Sequence, residues 1–151
     1  MAATHTSSHV LTAWHTLLQV SSRVVAELDR RLDLEHRMSI REFDVLINLD
    51  NAAGGAGLRM TDLADAVMLS SGGLTRLVGR LEERGLLRRE ADPSDGRGYL
   101  ASLTGPGRAR LAEARTTHDA VIRELLGAAL TETELATLVR ALRKSLPAAR
   151  D

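Results

Sequence analysis

Apolar residues in this chain recur at helical spacing almost throughout, and in one short segment the period changes to that of strands. Val10, Trp14, Leu17, Leu18, Val24, Val25, Leu28 and Leu32, with Ser21 among them, form one stripe over about six turns. A helix of that length runs ~35 Å at about 1.5 Å per residue, more than a small globular core needs. Ser39 and Glu42 have capping-box spacing and open a second helix to about Asp50, with Phe43, Leu46 and Leu49 inward. Leu58 to Met60 reads as a short strand, and Thr61 as the N-cap of a short helix with Leu63, Ala64 and Val67 inward. Three residues, Met68 to Ser70, then lead into another helix, the spacing of a helix-turn-helix. Pro106 starts a helix to about Leu126 with Leu111, Val121, Ile122 and Leu125 apolar. A second capping box, Thr131 and Glu134, opens a last helix striped by Leu135, Leu138, Val139, Leu142 and Leu146.

The helix after Ser70 buries Leu74, Leu77, Val78 and Leu81. Gly72, Thr75, Arg76, Gly79, Arg80 and Glu83 are left on the opposite face. Two glycines, a hydroxyl and two guanidinium groups make a thin, donor-rich surface that a DNA major groove could admit. A helix built only for solubility would more usually place Lys, Glu and Ala there. Ser70 or Ser71 can cap this helix, and the amides of its first turn, with the positive end of the dipole, favour a phosphate. Gly85 stands where a C-cap needs a left-handed residue.

After Gly85 the runs Leu86–Glu90 and Tyr99–Leu103 are strand-like. They are separated by turn chemistry at Pro93, Gly96 and Gly98. A hairpin directly behind a recognition helix is a wing. Arg97 stands at its tip, where a narrow minor groove would attract it; as ordinary surface, Asp92, Asp95 and Arg97 would only solvate the turn. The segments Leu63-Ala64, Gly73-Leu74-Thr75-Arg76-Leu77-Val78, Arg80-Leu81-Glu82, Arg84-Gly85-Leu86, Asp92-Pro93, Asp95-Gly96-Arg97-Gly98 and Leu103-Thr104-Gly105 resemble the multiple-antibiotic-resistance regulator (MarR) family, winged-helix repressors of bacteria and archaea. The resemblance covers roughly residues 58 to 107. It implies DNA contacts from Ser71, Thr75, Arg76 and Arg80 on the helix and from Arg97 on the wing, with Asp95 orienting its neighbours. Gly96 departs from the pattern, since many relatives carry a second basic residue there.

Composition narrows the classes. Across 151 residues, 20 Lys+Arg balance 20 Asp+Glu, so no basic excess drives bulk nucleic-acid binding. Between Ser70 and Leu100 six Arg face five acids, a difference of +1. Placement therefore matters more than net charge, and Glu82, Glu90 and Asp92 are expected to point away from DNA. Lys144 is the single lysine, and the arginine dominance suits directional contacts. There are no cysteines, which removes thiol redox sensing and disulfides. No apolar run reaches the roughly 18 residues of a membrane span. The opening MAATHTSSHV lacks signal-peptide character, so a soluble, cytoplasmic protein is expected. His5, His9, His15, His36 and His118 have no metalloprotease spacing. His15 and His36 are read as solvated or locally satisfied, a distant zinc site with His118 as minor. The connector Asn51–Gly57 lacks phosphate-loop order. No nucleophile elbow is present, and neither an enzyme nor a cofactor is expected.

These readings give a mainly α fold with a winged helix-turn-helix module, its wing a short β-hairpin, set within a helical dimerisation domain. Residues 1–38 and 105–151 supply the dimerisation helices and 39–104 the DNA-binding module. The terminal stripes are best buried against each other and a second copy; a monomeric helical cap would leave the first helix over-long. The expected partners are double-stranded DNA, a second copy and a small-molecule effector, with no membrane. The DNA-binding set is Ser70, Ser71, Gly72, Thr75, Arg76, Arg80, Asp95 and Arg97. The resemblance further implies a small aromatic or phenolic effector between dimer helices and winged module. Trp14 and Phe43 are the rings placed there, with His15, Met38 and Arg41 beside them; Trp14 can equally fill the dimer core and Phe43 the domain core. The reading is a repressor, a homodimer on a pseudo-palindromic operator. An effector-independent architectural DNA-binding protein is the alternative.

Overall fold

The computed structural model describes residues 2–52, 57–92 and 98–146. Its elements run α1 (Ala2–His36), α2 (Ile40–Asn51), β1 (Leu58–Arg59), α3 (Met60–Ala66), α4 (Ser71–Glu83), β2 (Leu87–Ala91), β3 (Tyr99–Leu103), α5 (Gly105–Ile122) and α6 (Glu132–Arg143), with a π-helical turn, Arg123–Gly127, extending α5. The strands form one antiparallel sheet in the order β1-β3-β2, with Leu58 opposite Ala101 and Leu87 opposite Leu103.

Local chemistry accounts for most boundaries. Ser39 accepts from the Glu42 amide while the Glu42 carboxylate accepts from the Ser39 amide, and Thr131 and Glu134 repeat the arrangement before α6. Thr61 does not cap α3. The chain passes straight from β1 into the helix with Arg59 as N-cap, and the Thr61 hydroxyl turns to Asp62. Gly85 takes φ +70 behind α4, and its successor Leu86 donates back to the Leu81 carbonyl. At Gly107, a Cβ would collide with the Leu86 carbonyl, so glycine is what lets the first turn of α5 lie against the strand entry.

One core runs through the module and into its neighbours. Leu32 of α1 and Met38 join Phe43, Val45, Leu46 and Leu49 of α2, Leu63 of α3, Leu74, Val78 and Leu81 of α4, Leu87 and Ala101 of the sheet, and Leu111 and Ala114 of α5. His36, expected to be solvated or satisfied locally, is buried, with Nε2 2.8 Å from the Thr117 hydroxyl of α5. That hydroxyl donates its one proton to Glu35 at 2.7 Å, so His36 is the donor in the other bond. The end of α1 is thereby tied to the middle of α5.

The outer parts of α1 and α6 behave differently. Val10, Leu11, Trp14, Leu17, Leu18 and Val25 on α1, and Leu138, Val139, Leu142 and Leu146 on α6, are all exposed in the single chain. Among the described residues no helix is long and apolar enough to cross a membrane.

Candidate nucleic-acid interface

Helix α4 is positioned by its buried stripe, Leu74, Leu77, Val78 and Leu81. Packed between α3 and β2, it presents the other face outward. Ser70 is the cap: its backbone is extended and its hydroxyl accepts from the Gly73 amide at 3.3 Å. Ser71 opens the helix, and its carbonyl accepts the Thr75 hydroxyl proton at 2.8 Å. Thr75 therefore offers lone pairs to a ligand and keeps its donor inside the helix. Gly72 and Gly79 lie almost opposite the buried stripe on a period of about 3.6 residues. A Cβ at either would meet nothing within 4 Å, so internal packing does not require glycine there.

Charge pairing separates the arginines. Of the six described in residues 57–103, four are engaged. Arg59 pairs with Asp92 at 2.8 Å, Arg84 with Glu42 at 3.2 Å, Arg88 with Glu90 at 3.0 Å and Arg89 with Glu82 at 2.5 Å. Arg76 and Arg80 are exposed and have no carboxylate partner among the described residues. They stand on α4 with guanidinium groups available to an external anion or base edge. Of the acids described between Ser70 and Leu100, Glu82, Glu90 and Asp92 are engaged by arginines, and Glu83 is exposed at the end of α4. The side-chain hydrogen bond from Arg89 holds the Glu82 carboxyl below the usual glutamate range, and Glu90 is neutralised by Arg88. The outward face of α4 thus carries two cations without an ion-pair partner among the described residues, Arg76 and Arg80, with Glu83 as an exposed acid at the C-terminal end of the same face.

At the wing's base, the Asp92 amide donates to the Gly98 carbonyl at 2.9 Å, closing the hairpin. The Asp92 side chain is buried and bonded to Arg59 of β1, so it is no solvated turn residue. Asp95, Gly96 and Arg97 lie outside the described residues.

The five residues assigned to an effector are not brought together within one chain. Met38 and Phe43 are completely enclosed, and the Phe43 ring stacks on His118 with centroids 4.6 Å apart. Trp14 and His15 are exposed on α1, His15 Nδ1 lying 2.8 Å from the Leu11 carbonyl. Met38 folds back onto the end of α1, its amide donating to the Leu32 carbonyl at 3.3 Å, and the helix rises about 27 Å from Trp14 to Leu32 at about 1.5 Å per residue; Trp14 and Met38 cannot line one pocket of a single copy. Arg41 is exposed on α2. An open cleft of about 430 Å³ lies elsewhere, between the end of α2 at Asp50 and the Arg108, Leu111, Arg115, Asp119 and Arg123 face of α5. Nearby, burial pushes the Asp44 carboxyl up against the opposing effect of Arg41. Among the described residues no group of three His, Asp or Glu has metal-site geometry.

Sequence reasoning missed the ion pairs Arg59–Asp92 and Arg84–Glu42, which join elements with no local signal between them.

Comparison with known proteins agrees with this geometry. A family model described as MarR family matches residues 37–98. The multiple antibiotic resistance protein MarR of Escherichia coli K12 is 30% identical over 133 residues, 88% of this chain and 88% of that protein. The matches span 65%, 53% and 55% of three other curated relatives, less than two thirds of their length. Among solved structures, a MarR family transcriptional regulator from Streptomyces coelicolor in complex with DNA superposes with a TM-score of 0.80 at 28% identity. It covers 93% of this chain and 92% of that one. Bordetella bronchiseptica BpsR, whose DNA binding is described as regulated by 6-hydroxynicotinic acid, superposes at 0.76 with 25% identity over 89% of this chain and 98% of that one.

Proposed function

The chain belongs to the MarR family, and from that premise we propose that it is a sequence-specific DNA-binding transcriptional regulator, a repressor, acting as a homodimer on a pseudo-palindromic operator. The observation that carries this reading is the outward face of α4. Arg76 and Arg80 have no carboxylate partner among the described residues, while the other four arginines described in residues 57–103 are paired. Arg76, nearer the helix start, reads a base edge, since the N-terminal residues of a recognition helix enter the groove. Arg80, one turn on, holds phosphate. Ser70, Ser71 and Gly72 bring the amides of the first turn to a backbone phosphate. Arg97 enters the flanking minor groove, oriented by Asp95.

The exposed apolar stripes of α1 and α6 support dimerisation, because a second copy would remove Val10, Leu17, Leu138 and Leu142 from water. The separation of about 27 Å between Trp14 and the Leu32 turn where Met38 sits also bears on the effector. A pocket that includes Trp14 takes it from the partner copy's α1, so the effector bridges two copies and acts on the spacing of their winged modules. An aromatic acid or phenol bound there lowers operator affinity by favouring the DNA-incompetent dimer.

The test is a titration of the purified protein with DNA from upstream of its own gene and with random DNA of equal length at one salt concentration. A regulator prefers its site by ~10³-fold or more. Equal affinity for both would replace this reading with that of an architectural protein.

A further inference from the structure

The same helix-ending motif occurs twice in the winged module with different residues at its left-handed position. Behind α4, Gly85 (φ +70) donates to Glu82 and Leu86 to Leu81. Behind α3, Met68 (φ +50) donates to the Asp65 carbonyl at 3.3 Å and Leu69 to the Ala64 carbonyl at 3.0 Å. Both are Schellman motifs, which prefer glycine because a Cβ is disfavoured in this conformation. The chain thus uses glycine at one site and a long apolar side chain at the other. That side chain is 88% exposed, the highest value among the large exposed hydrophobic residues. Met38 is fully buried and Met60 half-buried. Neither folding nor solubility calls for methionine at 68.

Its location supplies the missing partner. Met68 is two residues before Ser70, the cap of α4, and so is continuous with the end of that helix assigned to DNA. It is not part of the apolar faces of α1 and α6 that a second copy would cover. We propose that Met68 is a DNA-contacting residue, its thioether side chain packing on the apolar edge of the duplex, a deoxyribose or a thymine methyl, beside the start of the recognition helix. Thymine methyl groups are the apolar features of the major groove, and an unbranched, polarizable side chain adapts to such an edge. The contact rests on the DNA-binding reading and adds to it a residue with no charge and no hydrogen-bond donor.

The test measures wild type, Met68→Gly, Met68→Asn and Met68→Leu by thermal denaturation and by operator binding at several salt concentrations. Gly and Asn suit the left-handed position, so these variants should melt no lower than wild type. They should bind operator about four- to fifteenfold more weakly, the equivalent of one to two buried methylenes. The dependence on salt should not change, because an apolar contact releases no counterions. Met68→Leu should keep most of the affinity. Hydrogen peroxide provides an independent arm: it transfers one oxygen to the thioether, leaving water and a polar sulfoxide. Treated wild type should lose affinity while treated Met68→Leu does not. Wild-type affinity in Met68→Gly and Met68→Asn, or equal loss on oxidation of wild type and Met68→Leu, would overturn the proposal. If wild type itself fails to distinguish operator from random DNA, the functional reading fails instead.

Discussion

Replacing Gly79 by alanine should make the protein more stable and a poorer DNA binder. Gly79 is inside α4 with ordinary helical φ, and a Cβ built there meets nothing within 4 Å. The methyl therefore adds no strain to the free protein and removes the glycine penalty, about 0.8–1 kcal/mol in a helix interior. In a chain of this size that raises the melting temperature by roughly 2–4 °C. On DNA the position is different. Gly79 lies almost opposite Leu74 and Leu81, which puts its backbone at the centre of the outward face, flanked by Thr75, Arg76 and Arg80. A methyl inserted into a close contact costs about 1–3 kcal/mol, here by lifting the helix away from the bases its arginines reach. That is roughly a five- to 150-fold loss of affinity. Thermal denaturation and fluorescence anisotropy with a labelled operator, at one salt concentration, measure both quantities. An alanine variant that is stabilised and binds as tightly as wild type would show that α4 does not bring its backbone against DNA.

Other consequences follow from the same geometry. Arg76→Ala should cost about 1–3 kcal/mol and relax preference at one base position in a binding-site selection. Arg80→Ala should weaken all sequences alike and reduce the salt slope by about one contact. Leu138→Glu or Val25→Glu should break a dimer, since an unpaired charge buried at the seam costs several kcal/mol; sedimentation at micromolar concentration checks this, and wild type sedimenting as a monomer would remove its basis. Glu82 is held below the ordinary glutamate value of 4.5 by Arg89, so its folded pKa is below its unfolded one. Its contribution to stability is therefore complete above that ordinary value and is lost as pH falls through the lower folded pKa. Glu82→Gln should flatten the acid limb of the stability profile measured by urea denaturation.

What could be read from the sequence was what local chemistry decides. The α4 stripe, the capping boxes at Ser39–Glu42 and Thr131–Glu134, the left-handed Gly85 and the short strand at Leu58 all depend on residues within one or two turns of each other, and each appears in the structure. Small shifts arose where a local signal had a competitor. Thr61 has the side chain of a cap, but the β1 pairing with β3 sets where α3 begins. The hairpin starts at Leu87, one residue later than expected, because Leu86 is still bonded into the end of α4. Pairings between distant segments left no trace in local pattern: His36 with Thr117, Arg59 with Asp92, Arg84 with Glu42. These decide which arginines remain available, so the candidate interface could be drawn from sequence while its electrostatic contrast could not. The effector set shows the same limit. Rings on amphipathic helices can be identified in a sequence, but whether they share a cavity depends on how far apart the helices carry them.

The most direct measurement of the account is a hydroxyl-radical and base-methylation footprint of the protein on its own upstream DNA. Two copies of α4 related by a two-fold axis should protect two major-groove half-sites about 34–36 Å apart, one helical turn, with symmetric backbone protection around each. Protection without two-fold symmetry, or spread evenly along the fragment, would contradict it.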